Sequence, residues 1–108
     1  MSLITEPSHP GEILKELYLI PLDMSAIALA KRLNVPRTRI ERLVKGDTGV
    51  TADTAMRLAR FFGTTPEYWM NLQRAWDLAH ARETVDVSGI EPLGAPRGEL
   101  RRSPQGRA

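Results

Sequence analysis

Four basic side chains lie close together in residues 33–46, "LNVPRTRIERLVKG": Arg37, Arg39, Arg42 and Lys45. An arginine fork matches the O6 and N7 acceptors of guanine, and both arginine and lysine pair with phosphates. Residues 31–45 hold six basic residues against Glu41, a net charge of +5, although the whole chain carries only +2. The chemistry that this segment offers is recognition of nucleic acid.

Charge alone does not establish that function, because a basic helix is more often a solvated surface. The elements that position the charges are therefore decisive. Ser25 is a typical N-cap for a helix over residues 26–33, and Asn34 tolerates the positive φ that ends one. Pro36 fits the start of a third helix that runs to about Lys45 and is closed by Gly46. Two short helices joined by a tight turn indicate a helix-turn-helix.

Apolar residues at helical spacing should clamp this pair of helices together: Leu29, Leu33, Val35, Ile40 and Leu43. With those side chains buried, the others on the third helix face outward. Three of them are expected to contact bases: Arg37, Thr38 and Arg42. Three further residues are expected to hold phosphates: Ser25, Arg39 and Lys45. One set of residues would thus orient the protein on DNA, and the other would determine which base sequence it prefers.

Three more helices are predicted, which makes the fold all-α. The first begins near Pro10 with Ser8 or His9 as its cap and stops at Pro21. The fourth begins after Thr51 and ends at Gly63, and the fifth runs from about Pro66 to about Arg82. Apolar side chains on more than one face of the fifth helix favour a homodimer contact there, through Trp69, Leu72 and Trp76. The two tryptophans are expected in the core or in the dimer contact rather than as platforms for base stacking.

Other functional classes lack support in the sequence. No uncharged stretch is longer than seven residues, residues 17–22 being among the most apolar, and there is no signal-like start, so we expect a cytoplasmic protein without a membrane span. Cysteine is absent, and His9 and His80 are expected to cap a helix or lie at the surface rather than bind metal. No phosphate loop, nucleophile elbow or carboxylate pair appears. We expect no enzyme activity and no cofactor.

The chain divides by composition into three parts. Residues 84–108 hold four of the eight glycines and three of the eight prolines and no aromatic residue, which is typical of a mobile extension. The predicted organisation is an arm over residues 1–8, a DNA-binding and dimerisation domain over residues 9–83, and a C-terminal extension over residues 84–108.

Four segments in order resemble one family: "HPGEIL", "LAKRLNVPRTRIERLVKG", "TADTAMRLARFFGTTPEYWMNLQ" and "WDLAHAR". Together they are similar to HigA-type antitoxins of the XRE, lambda-repressor-like helix-turn-helix class, over about residues 9–83. The resemblance implies a five-helix domain, a homodimer on a palindromic operator and repression of its own operon. It also implies binding of a cognate toxin, usually a small RelE-like mRNA-cleaving nuclease.

Some of the positions at which members of this family contact DNA carry matching residues in this sequence. The resemblance places Arg37, Thr38 and Arg42 where bases are usually contacted, and Ser25 and Lys45 near the DNA backbone. Two departures are visible: Ala26 replaces a common phosphate-gripping glutamine, and Pro36 replaces a common capping serine. Two alternatives stay open, namely a stand-alone regulator without a toxin and a toxin-sequestering module that does not bind DNA.

Overall fold

Five helices make up the part of the chain that the computed structural model describes, residues 7–94. Helix α1 comprises an α-helical turn Pro10–Ile13, a π-helical segment Leu14–Leu19 and a last turn Ile20–Leu22. The others are α2 (Ala26–Leu33), α3 (Arg37–Lys45), α4 (Ala52–Phe62) and α5 (Pro66–Thr84). The prediction of an all-α, five-helix fold is confirmed. The predictions for residues 1–6 and 95–108 lie outside the described residues.

Pro21 does not stop the first helix, so that prediction is wrong. The helix continues through it to Leu22 and ends at Asp23, which has a left-handed φ of 53°. Proline removes one helical donor and crowds the carbonyl four residues earlier. Ahead of it the chain adopts the wider π register, in which the Ile20 N–H bonds to the carbonyl of Lys15. This wider turn makes room for the proline ring, so the helix gains one more turn.

Local capping sets the other helix boundaries. The side chains of Ser25, Thr51 and Thr65 each accept the backbone N–H three residues later, as the sequence predicted. Helix α2 ends at Asn34 with a φ of 59°. Helix α3 begins one residue after the predicted Pro36, which serves as its N-cap without a side-chain hydrogen bond. The turn between α2 and α3 is therefore held by backbone conformation.

All five helices contribute side chains to one hydrophobic core. The residues predicted to clamp the helix pair are buried, namely Leu29, Leu33, Ile40 and Leu43, while Val35 is half-buried. Trp69 of α5 is 0% exposed and its indole N–H donates to the Thr64 hydroxyl at 2.8 Å. The prediction that Trp69 is a dimer contact is therefore wrong, because its own chain encloses it completely.

Helix α5 still has apolar surface that its own domain does not cover. Leu72 and Trp76, the other two predicted dimer contacts, are half-buried. Met70 and Leu78 are more exposed, at 36% and 44%. A helical wheel over α5 does not tell which apolar face meets the core, which is why the sequence also offered Trp69 for the dimer contact. None of the described helices is long and apolar enough to cross a membrane.

Candidate nucleic-acid interface

One face of α3 is buried, and the predicted base contacts are exposed on the rest of its surface. Ile40 and Leu43 fix the inner face, with at most 1% of either residue exposed. Arg37, Thr38 and Arg42 are all exposed. With nine residues the helix is about 14 Å long, which suits the width of the major groove. Thr38 and Arg42 therefore share the side opposite the buried face, and Arg37 is exposed at the first residue of the helix.

A groove of about 390 Å³ runs beside this face, between α3 and the start of α4. Thr38, Arg39 and Arg42 line it from α3, and the loop and α4 contribute further polar residues: Thr48, Gly49, Thr51, Asp53 and Thr54. The sequence treated the loop residues only as a connection and Thr51 only as a cap. Their polar character was the available signal, but their position beside α3 depends on tertiary packing.

The predicted phosphate contacts are not brought together at one place. Ser25 lies at the N-terminus of α2, where its hydroxyl accepts the Ala28 N–H at 3.0 Å. Lys45 lies at the far end of α3 and lines a cavity of about 410 Å³ with Glu12 and Glu16 of α1. Both side chains are exposed and belong to different elements. Contacts at two separate points suit residues that orient a protein on DNA rather than read its sequence.

Arg39, the third predicted phosphate contact, has a protein partner. Its guanidinium pairs with the Asp53 carboxylate at 2.5 Å, and the Arg57 Nε–H donates to the same carboxylate oxygen at 3.0 Å. Hydrogen bonds from Arg57 and then Arg39 lower the pKa of Asp53 below its usual value. The Arg39 guanidinium thus shares one carboxylate with Arg57 within the described chain, which the sequence did not indicate.

Arg57 also fixes the turn of the helix-turn-helix. Its Nη1 donates to the carbonyl of Leu33 at 2.8 Å and lies 3.5 Å from that of Asn34. These carbonyls end α2, where a helix leaves acceptors without intrahelical partners. Arg57 therefore ties α4 to the point from which α3 starts.

The loop after α3 is fixed from α5. The Val50 N–H donates to Gln73 Oε1 at 2.7 Å. Gly49 lies so close to this side chain that an added Cβ would come within 2.6 Å of Gln73 Oε1. Gln73 in turn donates to Asp77 at 2.9 Å, which orients its amide. The loop that borders the groove is therefore held by a side chain of α5 that lies 23 residues after Val50 in the sequence.

His9 holds the other side of this loop. Its Nδ1 accepts the Gly11 N–H at 2.9 Å, its ring also hydrogen-bonds the backbone of Thr48, and the Trp76 ring lies edge-on at 5.0 Å. Burial lowers the pKa of His9 below 6.5, against the hydrogen bond to Thr48, which raises it. The predicted capping role is correct, but His9 is buried, at 9% exposure, rather than at the surface. Among residues 7–94 no three potential metal ligands cluster.

Comparison with known proteins agrees with this geometry. The family model described as Helix-turn-helix matches residues 14–69. Virulence-associated protein I of Dichelobacter nodosus is 52% identical over 86 residues, which cover 79% of this chain and 80% of that protein. Antitoxin HigA-1 of Vibrio cholerae is 40% identical over 89 residues, covering 81% and 84% of the two chains.

A solved structure shows the same fold. It is the antitoxin HigA of Pseudomonas aeruginosa with the higBA promoter, which is 39% identical and superposes with a TM-score of 0.73. The match covers 82% of this chain and 99% of that one. The resemblance to HigA-type antitoxins that the four sequence segments indicated is confirmed.

Proposed function

The chain belongs to the helix-turn-helix family, among the HigA-type antitoxins, and from this premise we propose that it binds operator DNA and represses its own operon. We further propose that it neutralises a cognate toxin. The observation that carries the DNA-binding part is the outward face of α3, where Arg37, Thr38 and Arg42 are exposed on a helix whose other face is buried. The proposed function is binding, with no catalytic step.

The two outward arginines of α3 supply base recognition in this proposal. Arg37 and Arg42 offer forked donors to guanine, and the Thr38 methyl or hydroxyl meets a thymine methyl or a phosphate. Neither arginine forms an ion pair with another residue in the range 7–94, so both guanidinium groups are available to DNA. Ser25, with the N-terminus of α2, and Lys45 hold phosphates on either side.

A homodimer is part of the proposal, because a palindromic operator presents two half-sites about 34 Å apart. Residues 9–83 form the DNA-binding and dimerisation domain in this scheme. The contact is proposed on the side of α5 that remains exposed in one chain, at Met70 and Leu78. Leu72 and Trp76 are half-buried on the side of the helix that carries Trp69, so they contribute at most its margin. Sedimentation of the purified chain at micromolar concentration tests this: a monomer both alone and on operator DNA refutes it.

The DNA-binding function is tested with a matched pair of variants, Arg42→Ala and Lys45→Ala, on the promoter fragment of the gene and on unrelated DNA. Arg42→Ala should weaken promoter binding by about 1–3 kcal/mol and relax one base preference. Lys45→Ala should weaken binding to both DNAs alike. It should also make the slope of log K against log salt shallower by about the amount that one phosphate contact contributes. If each variant affects promoter and unrelated DNA equally, the assignment of base and phosphate contacts is refuted.

The proposed toxin partner is a small, basic, RelE-like mRNA-cleaving protein encoded beside this gene. The support is the similarity to Vibrio cholerae antitoxin HigA-1, whose name gives its role. Co-expression with the neighbouring reading frame should give a co-purifying complex and restore growth that the neighbour alone arrests. Promoter binding without such a partner instead indicates a stand-alone regulator. A stable complex in a chain without salt-dependent promoter affinity indicates a sequestering module.

A further inference from the structure

An acidic side chain stands in the groove proposed to face DNA. Asp53 lines the groove together with Thr38, Arg39 and Arg42, and 53% of its side chain is exposed. A carboxylate in this position repels phosphates, which makes it an unexpected residue at a DNA-binding surface. Its two ion pairs, with Arg39 of α3 and Arg57 of α4, show what it does there instead.

The two arginines depend on Asp53 to different degrees. Arg57 also donates to the carbonyl of Leu33, so its position is fixed from two sides. The Arg39 side chain hydrogen-bonds only Asp53 among residues 7–94. The position of the Arg39 guanidinium is therefore set by the Asp53 carboxylate. Arg57 in turn fixes that carboxylate through its own ion pair with it.

We propose that Asp53 is a positioning residue that withholds Arg39 from the DNA backbone, so that the chain neutralises one phosphate fewer than its basic residues would allow. This inference rests on the proposed DNA binding. Because phosphate contacts supply essentially all of the affinity for unrelated sequences, the pair reduces retention of the protein on non-operator DNA. Arg39 thus contributes to the shape of the groove and not to the count of phosphate contacts.

The dependence of DNA affinity on salt concentration measures the number of phosphate contacts directly. For duplex DNA the slope of log K against log salt changes by about 0.9 for each phosphate neutralised. The full chain is titrated with promoter DNA and with an unrelated duplex of equal length, between about 50 and 200 mM salt, as wild type, Asp53→Asn, Arg39→Ala and the double variant. Thermal unfolding of each variant confirms that it is folded.

The expected pattern is a cycle. Asp53→Asn should steepen the slope by about one contact on both DNAs and tighten binding roughly 5- to 10-fold at about 0.1 M salt. Arg39→Ala alone should leave the slope unchanged, and in the Asp53→Asn background it should remove the added contact. Asp47→Asn is the matched control, because it removes one negative charge from the loop after α3, where Asp47 is exposed and has no side-chain partner within residues 7–94.

Three results would overturn the proposal. A slope that becomes about one contact shallower in Arg39→Ala alone would show that Arg39 leaves Asp53 and binds a phosphate. An unchanged slope in folded Asp53→Asn would show that the ion pair does not keep Arg39 from a phosphate. The same steepening in Asp47→Asn would show that any lost negative charge near α3 has this effect. In all three cases the wild type still binds DNA with salt dependence. A wild type without that dependence refutes the proposed DNA-binding function itself, and this inference with it.

Discussion

Replacing Gly11 by alanine tests how closely α1 packs against the proposed recognition helix α3. A Cβ added at Gly11 would lie 1.7 Å from the carbonyl oxygen of Leu43 and 2.7 Å from its carbonyl carbon. Both atoms belong to the backbone of α3, and Leu43 is buried. They cannot rotate aside as a flexible side chain would. Alanine at this position therefore requires one helix to move.

Two opposing effects set the size of the change. In an open helix, glycine to alanine stabilises the folded state by roughly 1 kcal/mol. Here the nearest contact must lengthen by about 1.3 Å to reach the 3.0 Å that real Cβ atoms respect. Overpacking a well-packed interior costs about 1–3 kcal/mol or more, and a backbone neighbour favours the upper end of that range. We expect a net loss of about 2 kcal/mol in the free energy of unfolding, or a Tm lower by roughly 8–16 °C.

The assay is thermal and urea unfolding of Gly11→Ala beside Gly89→Ala. An added Cβ at Gly89 meets no atom within 4 Å, and Gly89 lies beyond α5. Its substitution should change the free energy of unfolding by less than about 0.5 kcal/mol. If Gly11→Ala is as stable as the wild type or more stable, helix propensity outweighs the steric cost. The close approach of α1 to Leu43 would then be wrong.

The remaining predictions concern the two side chains that hold the loop after α3. Burial lowers the pKa of His9, so the unfolded chain takes up the proton first, and the stability present above pH 6.5 is lost as the pH falls. Urea unfolding at about pH 7.5 and about pH 5 should show a larger loss for wild type than for His9→Asn; equal losses contradict this. Gln73→Ala should cost about 1–3 kcal/mol because the Val50 N–H loses its acceptor, whereas Asp77→Ala, which leaves that acceptor in place and removes only the exposed hydrogen bond that orients it, should cost less in the same urea assay.

The helix boundaries could be predicted from the sequence because they depend on neighbours. The hydroxyls of Ser25, Thr51 and Thr65 bond a backbone N–H three residues away, so the interaction is contained within one short segment. The positive φ of Asn34 is likewise a property of the residue type. The same locality explains the outward face of α3, since a helix that buries Ile40 and Leu43 must present Thr38 and Arg42 on the other side, while Arg37 is exposed as its first residue.

Interactions between distant segments could not be predicted in this way. Arg39 and Asp53 are 14 residues apart and Val50 and Gln73 are 23 residues apart, and no periodicity relates the members of either pair. From the sequence alone, Arg39 was therefore expected to bind a phosphate. The π segment before Pro21 was missed for another reason, because proline in a helical pattern usually ends the helix and its accommodation depends on how the preceding turn widens.

Helix α3, the proposed recognition helix, is held in place by contacts at both of its ends. At its start, the turn is fixed by Arg57, which bonds the carbonyl of Leu33 and, through Asp53, the side chain of Arg39. At its end, Gly11 of α1 packs on the carbonyl of Leu43, and the following loop is bonded by Gln73 of α5. Rigid placement matters because forked arginine contacts to a base depend on geometry. Loosening either end should therefore weaken discrimination between DNA sequences more than it weakens phosphate binding, which tolerates displacement better.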